Sequence, residues 1–331
     1  MPRTAIIGTG FDVPERVVTN DELARWMDTS DEWIRERTGI EERRWVEQGT
    51  TGAAMARRAA ESALADAGVA AEAVDAIVLG TLSPDHFFPG TGVFLQRELG
   101  LRDVPCLDLR AQCSGFVYGL SVADAWIRVG QYRTVLLVGV EIQSTGLDLS
   151  TRGRDMAVLF GDGAGAAILQ ATDEPNRGIL STRIHADGRF AETLWADASS
   201  SARHPRLSVE DLEAGRHFPR MDGREVFKHA VRRMPEVLGQ VLEAEGLTAA
   251  DLDLLIPHQA NLRISQMVQK RLGLSDDRVY NNIQRYGNTT AATIPIALAE
   301  ASREGRLRRG DLVGFVAFGS GFTWGASLVR W

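Results

Sequence analysis

Two stretches of this chain recur at a nearly fixed distance. VDAIVLGT (74–81) is echoed by LDLLIPHQ (252–259), and AWIRVGQYRTVLLVGVE (125–141) by EASREGRLRRGDLVGFVAFGS (300–320), both about 175 to 180 residues apart. A repeat of that length predicts two halves of similar topology, 1–172 and 173–331, joined near ATDEPNRG (171–178). Within each, short β-branched runs bounded by glycine alternate with Ala- and Leu-rich stretches at helical spacing, so the chain is α/β. Strands are expected in TAIIGTG, AVDAIVLGT, VPCLDLR, TVLLVGVE, AVLFGDGAGAAILQA, LDLLIPHQ and DLVGFVAFGSG, and helices over 51–67, 114–129, 224–245, 259–272 and 291–304. The segment 195–223 breaks the pattern with Ser, Pro and mixed charge, and reads as a long loop or flap.

With 331 residues the chain can bury a sizeable core. A formal charge of −7 repels nucleic acid and anionic membrane, so neither is an expected partner and any basic patch is local. The opening MPRTAIIGTG has an apolar run too short for a signal peptide or a spanning helix, which points to a core strand in a cytoplasmic protein. Cys106 and Cys113 are the only cysteines. They have neither the spacing of a zinc site nor the numbers of a disulfide framework, so no metal is expected and a reduced compartment fits.

Cys113 stands where LDLRAQC gives way to a helical stretch. There, unpaired N–H groups and the positive end of the helix dipole would stabilise a thiolate. A buried structural cysteine is the competing reading. Two further junctions weigh against it: IPHQAN puts His258 directly after an apolar strand, and RYGNTTAATIP puts Asn288 after Gly287, which permits an unusual backbone angle, just before the next helix. Three such residues at strand ends suggest nucleophilic catalysis.

DTSDEWIRERTGI, QCSGF, LFGDGAGAAIL, IPHQANLRI, YGNTTAATIP and FGSGFTWGASLVR together resemble the β-ketoacyl-acyl-carrier-protein synthase III family, over essentially the full length. These are the initiating condensing enzymes of type II fatty acid synthesis. The resemblance implies a thiolase fold, two similar halves stacked as five αβαβα layers, and a homodimer. It implies a triad of Cys113, His258 and Asn288, with acyl-CoA and malonyl-acyl carrier protein as substrates and no cofactor. Cys113 would accept the acyl group. His258 and Asn288 would hold the enolate oxygen formed when malonyl loses carbon dioxide, and the N–H groups of Cys113 and Ser320 would hold the oxyanion of the condensation. Ser320 replaces a glycine of the family's turn, which leaves the donor in place but would strain a positive φ.

By the same resemblance, Trp33 and Arg154 would sandwich the adenine of CoA, Arg37 would meet a phosphate, and Thr29, Gly223 and Asn261 would line the pantetheine tunnel. Arg152 competes with Arg154. Lys228, Arg263, Lys270 and Arg271 would form the carrier-protein docking patch; Lys228 stands on a helix with Pro235, where a kink is expected. Phe88 would cross to the partner subunit and close its acyl pocket, favouring a short primer such as acetyl. A papain-like hydrolase also orders Cys, His and Asn this way, but Cys113 lacks that family's flanking sequence. Neither AIIGTGFDVPE nor GDGAGAA matches a dinucleotide-binding turn. The alternative that stands is a related condensing enzyme or acyltransferase priming with a longer or specialised acyl group.

Overall fold

The computed structural model describes residues 2–331. Nine strands form two sheets. The first comprises β1 (Arg3–Asp12), β2 (Ala76–Gly80), β3 (Cys106–Leu109), β4 (Thr134–Glu141) and β5 (Gly163–Thr172), in the order β1-β5-β4-β2-β3. The second comprises β6 (Gly178–Ala186), β7 (Leu254–Pro257), β8 (Leu312–Gly319) and β9 (Thr323–Arg330), in the order β7-β8-β9-β6. In the first sheet β2 is parallel to β4, and β5 is antiparallel to both β4 and β1. In the second, β7 is parallel to β8, and β9 is antiparallel to both β8 and β6. Four strands of each sheet thus share one connectivity, and the echoed segments occupy corresponding places, β2 with β7 and β4 with β8.

The principal helices are α1 (Asp31–Thr38), α2 (Gly52–Ala67), α3 (Gly115–Arg128), α4 (Gly223–Glu243), α5 (Leu262–Leu272) and α6 (Thr293–Arg303). The apolar clusters define the layering. Phe116, Val117, Leu120, Ala123 and Ile127 of α3, with Ile294, Ala297, Leu298 and Ala301 of α6, pack between the two sheets. Met55, Ala56, Ala59, Ala60 and Ala63 of α2 cover the outer face of the first sheet. Met234, Val237, Leu238 and Val241 of α4, with Ile264 and Val268 of α5, cover that of the second.

This layering explains why the strands lack polar alternation. In β4, Val135 and Leu137 face the middle layer while Leu136, Val138 and Val140 face α2, so the run from Val135 to Val140 holds no polar side chain between the terminal Thr134 and Glu141. Truncating Leu120 to Ala would open a void at the centre of the stack, at a cost of about 2–5 kcal/mol.

Several expectations need correction. AVLFGDGAGAAILQA is a strand only from Gly163; its first residue, Ala157, closes a helical turn begun at Arg154, and the residues between are turn and loop. Strands β6 and β9 lie outside the segments expected to be strands. The helix expected over 259–272 starts only at Leu262, capped by Asn261. Helix α4 runs uninterrupted through Pro235. The carbonyl of Val231, which Pro235 cannot engage for lack of an N–H, instead accepts from Arg271 Nη1 at 2.8 Å. The segment 195–223 is braced rather than slack. Leu194–Trp195 pairs with Arg220–Met221, a short helix spans Val209–Glu213, and Asp211 takes ion pairs from both Arg203 and Arg216.

Candidate active site

The candidate reactive groups sit just beyond the carboxyl ends of strands, where an open α/β sheet leaves a crevice. Cys113 follows β3 in a helical turn, Gln112–Ser114, that leads into α3; His258 follows β7; Ser320 follows β8. Asn288 is placed by Gly287, whose φ of +63° is open to glycine without strain, and its own N–H donates to Leu159 O at 2.8 Å. Cys113, His258 and Asn288 all line one cavity of about 490 Å³, and all are buried, at 7, 2 and 5% exposure.

Burial, with a smaller push from the charge of Glu141, drives the Cys113 thiol up to about 12, against the opposing pull of the backbone N–H groups of Ser320 and Cys113. The helix start therefore does not yield the thiolate expected from the sequence; desolvation outweighs the backbone donors. Both residues expected to supply the oxyanion hole nevertheless act to lower this thiol, and both line one cavity. Ser320 has no positive φ; that conformation falls on Gly321, at +128°. The Ser320 hydroxyl donates to Leu194 O. Gly319 is required here, since a Cβ would come within 2.7 Å of Cys113 Sγ.

Burial lowers His258 to about 3, so its imidazole is neutral near pH 7. Nδ1 lies 2.6 Å from Thr293 Oγ1, and Nε2 is buried without a partner. Asn288 Oδ1 accepts from Thr290 N at 2.9 Å, which leaves its amide N–H groups as donors to the cavity it lines.

The mouth of this cavity carries Trp33, Arg37, Gly223, Arg224, Asn261 and Arg263. Arg154 and Arg37 stack on Trp33 at 4.6 and 4.4 Å from the ring centroid. Arg154 is pinned by the carbonyl of Asp28 at 2.8 Å, whereas Arg37 has no ion pair among the described residues. Arg152 turns away to Asp148. Asn261 is occupied within the protein, capping α5 through Arg263 N and donating to Arg37 O. Thr29 does not line the cavity, and its Oγ1 is buried without a partner. Lys228 is exposed near Glu225, while Lys270 and Arg271 lie in the last turn of α5, away from the mouth.

Cys113 also borders a second cavity of about 820 Å³, lined by Leu82, Arg110, Gln143, Trp195, His217 and Thr290 among others. Phe87 and Phe88 line neither cavity of their own chain and are 62 and 79% exposed. The sequence reading missed Glu141, Gln143, Thr290 and Thr293. Their signals were a carboxylate ending an otherwise apolar strand and the threonines of GNTTAATIP.

Residues 107–188 match the family described as 3-oxoacyl-[acyl-carrier-protein] synthase III, and residues 242–331 its C-terminal region. The chain is 48% identical to the β-ketoacyl-[acyl-carrier-protein] synthase III of Acidiphilium cryptum, with all of both chains covered. It is 47% identical to that of Rhodospirillum centenum, with 99% of each covered. The crystal structure of 3-oxoacyl-[acyl-carrier-protein] synthase III from Aquifex aeolicus superposes with a TM-score of 0.91 at 44% identity, covering 99% of this chain and 100% of that one. The stacked halves are a thiolase fold. The chain belongs to the β-ketoacyl-acyl-carrier-protein synthase III family of condensing enzymes. Among the described residues no helix is long and apolar enough to cross a membrane.

Proposed function

We propose that this protein transfers an acyl group from acyl-CoA to Cys113 and condenses it with malonyl-acyl carrier protein, releasing carbon dioxide and a 3-oxoacyl-acyl carrier protein. The observation that carries the reading is the convergence of Cys113, His258 and Asn288 on one cavity. In the first half-reaction Sγ attacks the thioester carbon, the C–S bond to CoA breaks, and the thiol proton ends on the departing CoA sulfur. The Thr293 hydroxyl donates to Thr290 O, so it accepts from Nδ1–H and leaves His258 Nε2 a lone pair for that proton; turning the hydroxyl to donate to Nδ1 would give Nε2 the N–H of the next step.

In the second half-reaction the malonyl C–C bond breaks and its electrons pass to the thioester oxygen. Asn288 Nδ2 and His258 Nε2 hold that charge in a site with little water. The enolate carbon attacks acyl-Cys113, the N–H groups of Cys113 and Ser320 hold the resulting oxyanion, and the expelled thiolate takes a proton.

CoA would enter along Trp33, with Arg154 fixed on the ring and the unpaired Arg37 swinging from it toward a phosphate, so that adenine takes its place. Gly223 and Asn261 would flank the pantetheine, with Thr29 outside the tunnel. Arg263 and Lys228 would receive the acidic carrier protein, with Lys270 and Arg271 at the edge of the patch. In a homodimer the exposed Phe88 would close the partner's larger cavity, leaving room for a short primer such as acetyl. No residue in this scheme calls for a cofactor, and a cytoplasmic setting suits both substrates. Incubating the purified protein with acetyl-CoA and malonyl-acyl carrier protein tests the reading: acetoacetyl-carrier protein supports it, and a protein that forms none with any acyl-CoA contradicts it.

A further inference from the structure

Asn288 and His258 are both aimed through one residue, Thr290. Its N–H donates to Asn288 Oδ1 at 2.9 Å, and its carbonyl accepts at 3.0 Å from the Thr293 hydroxyl that meets His258. Thr290 is fully buried and holds a φ of +50°, the left-handed region that side chains other than glycine avoid. The hydrogen bond that restrains it comes from Gln143. Gln143 Nε2 donates to Thr290 Oγ1 and to Glu141 Oε2, both at 3.1 Å. Glu141, also fully buried, accepts from Ser83 Oγ at 2.7 Å and Leu82 N at 3.1 Å, so it is itself fixed. The N–H of Gln143 is anchored to Asp162 Oδ1 at 2.7 Å.

We propose that Gln143 is a positioning residue for the decarboxylation step: it holds Thr290 in the left-handed conformation and thereby aims Asn288 and His258 at the malonyl thioester oxygen. This rests on the roles given to Asn288 and His258 above. Gln143 also lines the larger cavity, so shaping the acyl pocket is the competing role.

The test uses Gln143→Met, which keeps length and removes the donor. The kcat for decarboxylation of malonyl-acyl carrier protein falls about tenfold with little change in KM, while acyl loading of Cys113, in which Asn288 has no part, falls less. Adding Thr290→Gly restores most of the loss, because glycine holds this φ unaided and keeps the N–H and carbonyl that aim the two donors. A variant whose acyl loading falls as much as its decarboxylation and is not rescued by Thr290→Gly overturns the proposal in favour of pocket shaping. A crystal structure of Gln143→Met decides the backbone claim without activity: Thr290 leaving the left-handed region supports it, and an unchanged φ overturns it. A wild type whose Asn288→Ala variant decarboxylates normally refutes the roles of the donors instead, a result distinct from either.

Discussion

The hydroxyl oxygen of Thr293 lies 2.6 Å from Nδ1 of His258, and both side chains are buried. An imidazole there needs a partner at Nδ1, or the buried nitrogen is left unsatisfied. Thr293→Val removes that partner at nearly constant volume. It should lower condensation by about 10- to 100-fold, the loss expected when a buried hydrogen bond that aims a reacting group is removed. Thr293→Ser should keep most of the rate. Equal activity of the Val and Ser variants in a malonyl-carrier-protein assay would show that the hydroxyl does not set the imidazole.

The shifts in His258, Glu141 and Cys113 give stability a definite pH dependence. His258 is depressed to about 3, so as pH falls below the ordinary 6.5 the unfolded chain takes the proton first. The contribution of His258 is full above 6.5 and is lost down to 3, at about 1.4 kcal/mol per pH unit. Glu141, raised by burial to about 7, acts oppositely, with its contribution full below 4.5 and lost as pH rises through 7. The two offset between 4.5 and 6.5, so the steep acid loss belongs below 4.5. Thermal melts of wild type and His258→Gln across pH 3–7 check this, the variant having the shallower acid limb.

Cys113, raised to about 12, should react slowly with iodoacetamide at pH 7 and faster with each pH unit, without a plateau below pH 9. Its contribution to stability is full below the ordinary thiol value of 9 and is lost as pH rises toward 12. A plateau in the alkylation rate near pH 7 would mean that the helix start governs the thiol after all.

Arg271 separates from the other basic residues of the expected docking patch because it supplies the carbonyl of Val231 with the donor that Pro235 withholds. Arg271→Met should cost about 1 kcal/mol, roughly 2 °C in melting temperature, with the KM for malonyl-acyl carrier protein nearly unchanged. Arg263→Glu and Lys228→Glu should do the reverse, raising that KM in a salt-dependent way while leaving acyl loading intact.

Much of this was legible because the information is local. TVLLVGVE is a strand over the very residues read, since burial on both faces needs an unbroken apolar run. The meeting of Cys113, His258 and Asn288 at one cavity was legible because each abuts a strand end or a glycine turn. Strand β6 was not, because GILSTRIHA lies at the sheet edge and keeps several residues half-exposed, so its hydrophobic signal is weak. The protonation state of Cys113 could not be read from its place before a helix, because desolvation depends on what packs around it. Gln143 and Thr290 meet across 147 residues of sequence, a separation at which no spacing rule applies.

The central claim is tested most directly by mass-spectrometric peptide mapping after incubation with acetyl-CoA, followed by addition of malonyl-acyl carrier protein. The acetyl group should appear on the peptide containing Cys113 and disappear as the 3-oxoacyl product forms. In Asn288→Ala it should appear but persist, with condensation reduced by roughly 10²-fold or more. An adduct on Cys106, or full condensing activity in Cys113→Ala, would contradict the account.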